Sequence, residues 1–200
     1  MIKSLLIIFT RNPELGKVKT RLASKIGDSS ALEIYKTLLQ HTVEITKNID
    51  HTKQVHYSVK IREDDIWEDR LYGKKQQFGS DLGARMEYAF QQGFKSGFTN
   101  IIIIGSDIYD LTEQDIENAF SALKNHTFIV GPAEDGGYYL IGMKRMNSKL
   151  FQDKKWGSNT VLKDTLNDLK NEDFHLLPIR NDIDYYEDLK GIEVFQQFIK

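Results

Sequence analysis

Cysteine is absent from these 200 residues, proline occurs three times, and no apolar run approaches the length of a membrane span. Without cysteine there are no disulfides, no thiolate nucleophile and no cysteine-ligated zinc or iron–sulfur centre. The five histidines (His41, His51, His56, His126 and His175) are scattered and lack a two-histidine helical spacing, which argues against a histidine metal centre. Charge of one sign is also scarce: 27 basic against 29 acidic residues leave a formal net charge of −2. A nucleic-acid partner is therefore not expected, and any anion site has to be local. The apolar run after Lys3 ends at Thr10 and Arg11, too short for a signal peptide or a span, so a cytoplasmic protein is expected. Two nucleotide motifs are missing as well. A P-loop around Gly16-Lys17 would need glycine at position 11 and Ser or Thr at 18, where the chain has Arg11 and Val18, and no G-x-G-x-x-G occurs.

What is present alternates between strand and helix patterns. Ser4 to Phe9 is a continuous apolar run, as in a strand buried on both faces, and Ile101 to Ile104 reads as a central parallel strand. Further strands are expected at 55–59, 75–78, 127–130, 138–143 and 174–177. Helical spacing covers 29–47 behind Asp28 or Ser29, 81–97 behind Asp81, and 159–169 behind Ser158. Thr112 to Asp115 has capping-box spacing ahead of Ile116, Ala119, Phe120 and Leu123. A closing helix is expected from Asp184, with a short helix and loop around Trp67. With no linker and no repeat, residues 1–200 read as one three-layer α/β/α domain on a mostly parallel, Rossmann-like sheet.

Chemistry gathers at the expected carboxyl ends of the strands, where ligands bind in open α/β sheets. Phe9 to Leu22 (FTRNPELGKVKTRL) collects Arg11, Lys17, Lys19 and Arg21 around Pro13 and Gly16. It suits a polyphosphate held by charge-assisted hydrogen bonds, or else is a solvated basic loop. Asp107, directly after the isoleucine strand in Gly105-Ser106-Asp107, stands where Mg²⁺ or Mn²⁺ would be held by carboxylate, phosphate and water; the alternative is a turn residue. Asp182 and Asp184 fall on one face if their segment is extended, and either can close that site, although Asp184 with Glu187 also makes a capping pair. Ala133 to Tyr139 reads as an Asp-Gly hairpin, or as an acceptor loop in which Gly136 and Gly137 admit a ligand, Asp135 acts on its hydroxyl and Tyr138 forms a platform. Gly79, Asp81 and Gly83 mark a strand-to-helix junction able to receive a nucleotide. Trp156 is a stacking surface or a buried anchor.

Taken in order, these segments resemble one family. They are Phe9 to Pro13 with Gly16 and Lys19 to Leu22; Gly79 with Asp81 to Gly83 and Arg85-Met86; Gly105 to Asp107 with Leu111; Gly131 to Ala133 with Asp135 to Tyr139; Trp156 with Ser158; and Asp182, Asp184 with Glu187 to Leu189. The chain is similar to the bacterial DUF2064 proteins, GT-A-type glycosyltransferases related to the molybdopterin-guanylyltransferase-like nucleotidyltransferases. The resemblance implies a nucleotide-diphospho-sugar transferase fold, nucleotide on the amino-terminal half, a small-molecule acceptor toward the carboxyl-terminal half, and Asp107 as the metal-proximal aspartate. Two departures stand out. The family's Asp-x-Pro is Asp107-Ile108-Tyr109 here, and Tyr185-Tyr186 replaces its usual Thr-Pro after Asp184.

The activity expected is metal-dependent transfer of a sugar from a nucleotide-diphospho-sugar to a small acceptor. Nucleotidyl transfer from a nucleoside triphosphate, with release of pyrophosphate, is the alternative. Nucleotide binding without catalysis is the third.

Overall fold

The computed structural model describes residues 3–199. Its seven strands are β1 (Ser4–Thr10), β2 (Thr52–Tyr57), β3 (Tyr72–Gln76), β4 (Asn100–Ile104), β5 (Phe128–Pro132), β6 (Tyr138–Met143) and β7 (Phe174–Leu176). They form one sheet in the order β3-β2-β1-β4-β6-β5-β7. Period-2 alternation explains the layers. Leu6, Ile8, Ile102 and Ile104 enter one core, while Leu5, Ile7, Ile101 and Ile103 enter the other. Each isoleucine side chain so buried contributes roughly 1.5–3 kcal/mol, which is why the isoleucine run lies in the middle of the sheet.

The first core is covered by α1 (Thr20–Ile26), α2 (Asp28–Thr46) and α4 (Glu113–Asn125), through Leu22, Ile34, Leu38, Ile116, Phe120 and Leu123. The second is covered by α3 (Leu82–Lys95) and α5 (Val161–Leu169), through Met86, Phe90 and Leu169. The three-layer expectation therefore holds.

Strand direction positions the site. β1 pairs parallel with both β2 and β4, so the chain reverses its winding at β1 and leaves a crevice between the carboxyl ends of β1 and β4. β6 runs antiparallel to β4 and β5, and β7 runs parallel to β5. The 133–137 turn and the segment after β7 consequently emerge at the same sheet edge as the ends of β1 and β4.

Several local expectations are corrected. The basic segment is not all loop, because α1 begins at Thr20. α2 is capped by Gly27 without a side-chain hydrogen bond, and α5 starts behind Thr160 rather than Ser158. No helix forms around Trp67, which is buried instead as a plug beneath α2, edge-on to Tyr72. The closing helix is replaced by two 3₁₀ turns, Tyr186–Leu189 and Glu193–Phe198. Gly191 at φ +80° interrupts the run, while Leu189 and Phe195 still reach the core. The capping partner in that segment is Asp188, which accepts from the backbone N–H groups of Asp184 and Tyr185, and not Glu187. Asp81 and Thr112 do cap α3 and α4.

Candidate functional site

Three carboxylates and one ammonium meet at the mouth of the crevice. Asp107 follows β4, and the backbone N–H of Ile183 donates to its carbonyl oxygen at 3.1 Å. An antiparallel bridge between Ile108 and Asp182 extends this join. Ile108 thus stitches the β4 end to the 182–184 segment. Asp107, Asp182 and Asp184 each present an oxygen, all within 4.8 Å of one another.

Lys19 lies among them. Its Nζ donates to Asp107 Oδ2 at 3.0 Å and to Asp184 Oδ1 at 2.8 Å, and its side chain is only 5% exposed. Burial works against this ammonium, but the two carboxylates outweigh it and hold its pKa above the ordinary lysine value. Burial likewise opposes charge on Asp184, and Lys19, Arg21 and Arg11 overcome it, so its pKa is lowered. Arg21 Nη1 reaches Asp184 Oδ2 at 3.3 Å, and the guanidinium lies 5.3 Å over the Tyr185 ring, a cation–π contact.

Asp182 goes the other way. Burial and the negative charges of Asp107, Asp184 and Asp135 push its pKa up to about 7. Between pH about 4 and about 7 the folded protein keeps a proton there that the unfolded chain has lost, so stability falls as pH rises through that window. In chelator, Asp182→Asn should flatten this dependence. At pH 8 it should raise Tm by about 3–6 °C, corresponding to about 1–2 kcal/mol once the shift is discounted for solvent screening. Differential scanning fluorimetry from pH 4 to 8 reads it out.

The remaining sequence-nominated residues are distributed along the same edge. Arg11 and Lys17 are exposed on the β1 loop, and Gly16 turns that loop at φ +71°. Asp135 is exposed and accepts from the N–H of Gly137 at 2.7 Å, as an Asp-Gly turn does. The Tyr138 hydroxyl points inward to Met86 Sδ, 3.8 Å away, and its ring meets Trp156 edge-on. Gly83 is buried beneath Trp156, where a Cβ would stand 2.5 Å from the indole. Gly79 packs against the first turn of α3, with Asp81 capping that helix. This junction follows β3 and is separated from the aspartates by β1 and β2.

The donor set fits a hard divalent cation: three carboxylates at one sheet edge, with oxygens within 4.8 Å of one another and the Asp107 and Asp184 side chains 38% and 30% exposed.

A family model described as an uncharacterized protein conserved in bacteria (DUF2064) matches residues 42–158. The chain belongs to this family. Among solved structures, a protein of Desulfovibrio desulfuricans G20, provisionally named a nucleotide-diphospho-sugar transferase, is similar at 28% identity. That match covers 96% of this chain and 90% of the other, with a TM-score of 0.85. At the level of fold alone, the DUF2064 chain is also similar to a 4-diphosphocytidyl-2C-methyl-D-erythritol synthase of Anaerococcus prevotii (10% identity, 98% and 96% covered, TM-score 0.59). A CMP:2-keto-3-deoxy-manno-octonic acid synthetase complexed with CTP is similar as well (10% identity, 98% of each chain, TM-score 0.54). No curated protein matches in sequence. The fold of this DUF2064 protein is that of the nucleotide-diphospho-sugar transferases. No helix among its described residues is long and apolar enough to cross a membrane.

Three residues that shape the crevice escaped sequence reading. Tyr35 looked like one more apolar position on α2. Its hydroxyl instead takes the backbone N–H of Arg11 at 2.9 Å and meets Thr10 Oγ1 and Ser106 Oγ, tying the ends of β1 and β4. Burial raises its pKa. Buried Asn12 accepts from the N–H of Val59 and donates to the Lys60 carbonyl, clamping the loop after β2. Gln77, just past β3, donates to the Thr10 and His56 carbonyls and so ties the end of this edge strand to the ends of β1 and β2. A polar atom at an otherwise apolar position was the signal available for Tyr35 alone.

Proposed function

We propose that this protein is a metal-dependent transferase that moves a sugar from a nucleotide-diphospho-sugar to a small hydroxyl-bearing acceptor. The observation that carries the reading is the convergence of Lys19, at the end of the β1 loop, and Arg21, in the first turn of α1, with Asp107, Asp182 and Asp184 at the point where the sheet reverses its winding. Similarity to the Desulfovibrio protein named for a nucleotide-diphospho-sugar supports it.

Arg11, Lys17 and Arg21 are exposed beside the crevice and neutralise the diphosphate of the donor. Asp107, Asp182 and Asp184 hold Mg²⁺ or Mn²⁺. When bound, such an ion stabilises negative charge on a leaving nucleoside diphosphate. Asp135, exposed on the 133–137 turn, orients the acceptor hydroxyl or takes its proton. Gly136, Gly137, the Tyr138 ring and Trp156 border the acceptor, and the Gly79 to Gly83 junction borders the nucleoside.

The test is incubation with labelled UDP-, GDP- and ADP-sugars beside the free nucleoside triphosphates, with and without Mn²⁺. Metal-dependent release of nucleoside diphosphate with a labelled glycoside is the expected result. Pyrophosphate release from a triphosphate would replace glycosyl transfer with nucleotidyl transfer, the activity that the cytidylyltransferase-like fold also accommodates. Binding without turnover would leave a nucleotide-binding protein.

A further inference from the structure

The carboxylate triangle already contains a cation that belongs to the chain. Lys19 Nζ bonds two of the three carboxylates at 2.8 and 3.0 Å, the distances of charge-assisted hydrogen bonds. Mg²⁺ would need those same oxygens at about 2.0–2.1 Å. An ammonium and a divalent cation sharing two carboxylates would stand a few ångströms apart in a half-buried site, where their repulsion is large. Occupancy by one excludes the other.

Two further features make the ammonium movable. Lys19 has φ 47° and ψ 45°, the left-handed region, which is costly for a residue with a Cβ. It is the residue that precedes α1, and it makes no side-chain cap to that helix. Its carbonyl accepts from the Ala23 N–H at 2.8 Å, so the backbone is tied to α1, while the side chain is spent on the two carboxylates rather than on the helix. Its ammonium sits on a flexible four-carbon stem, at the end of a loop in which Glu14, Leu15, Gly16 and Lys17 are all exposed. Asp107 and Asp184 keep 38% and 30% of their side-chain surface open to solvent, which leaves an ion access to them.

We propose that Lys19 is a displaceable internal counterion: it closes the Asp107–Asp182–Asp184 site in the metal-free protein, and a divalent cation enters only by expelling it. The inference rests on the reading that these aspartates hold a metal, and it adds how the site is kept when metal is absent. The expelled ammonium stays between Arg11 on the β1 loop and Arg21 in the first turn of α1, so metal entry adds one more mobile positive charge to the diphosphate side.

The test is Mn²⁺ binding, followed by electron paramagnetic resonance on the full chain without nucleotide or sugar. Lys19→Asn removes the ammonium while keeping a residue that tolerates the left-handed region, and Lys19→Arg keeps a cation. K19N should bind Mn²⁺ at least tenfold more tightly than the unaltered protein, and K19R should not. A second measurement needs no variant. Reductive methylation with mass spectrometry should find Lys19 protected in chelator and modified in Mn²⁺. Equal Mn²⁺ affinity in K19N and the unaltered protein, no binding by either, or methylation of Lys19 that is indifferent to Mn²⁺ would each overturn the proposal. Neither measurement uses a donor substrate, so these outcomes are separate from success or failure of the glycosyl-transfer assay.

Discussion

Asp107→Ala is expected to lower metal-dependent turnover by about 10³-fold or more, while circular dichroism and Tm change little. A factor of 10³ is about 4 kcal/mol of transition-state stabilisation, the size lost when a principal electrostatic contact to developing charge is removed. The fold should survive because Asp107 lies beyond the end of β4, is partly exposed, and packs no core. Lys19 would also keep its shorter bond to Asp184, so no buried ammonium is left unpaired. The measurement is kcat/KM with whichever nucleotide-sugar the labelled panel turns over, at saturating and limiting Mn²⁺. Retention of full metal-dependent turnover would remove Asp107 from the site.

Gly136→Ala is expected to be the more damaging change to the structure itself, lowering Tm by about 10 °C. Gly136 has φ +88°, where a side chain costs roughly 1–2 kcal/mol. A Cβ built there stands 2.3 Å from the carbonyl oxygen of Asn159 and 2.7 Å from its Cα, both backbone atoms that cannot rotate away. The carbonyl of Gly136 also accepts from the Leu162 N–H at 2.8 Å, so a shift of the turn breaks the tie to α5. Together these cost about 3–5 kcal/mol, and at this chain length each kcal/mol moves Tm by roughly 2–4 °C. Gly157→Ala is the control: it has φ +79° with nothing within 4 Å of the would-be Cβ, so it carries only the conformational part. Equal losses in the two variants would show that contact with Asn159 is not what demands glycine at 136.

These two residues illustrate how far the amino-acid pattern was legible. Asp107 was accessible because four isoleucines announce a central strand and the next polar residues must then stand at its carboxyl end; that inference is local. Gly136 was legible only as a turn residue, since its neighbour Asn159 is far along the chain and stands just before α5, whose N-terminus lies behind Thr160 rather than Ser158. The same limit explains Lys19. Sequence placed it among four similar cations, and only tertiary structure distinguishes the buried one at the aspartates from exposed Lys17. It explains the closing segment too, where apolar spacing at Leu189, Ile192, Phe195 and Ile199 mimics a helix but Gly191 breaks the backbone at φ +80°. The layers and most strands were readable from period-2 burial, because the continuous apolar runs of β1 and β4 fit only a sheet covered on both sides.

Lys19 and Asp184 are 165 residues apart in the chain. Loop closure over that span comes late, after shorter-range pairings have formed. All seven strands are in place by Leu176, before Asp182 and Asp184 have been reached. During synthesis, the sheet can therefore assemble while the acidic cluster still lacks two of its three carboxylates, and Lys19 has only Asp107 to hold. The site closes only when the 182–184 segment docks along Ile108, so a chain released before that segment is made would carry all seven strands and lack two of the three carboxylates.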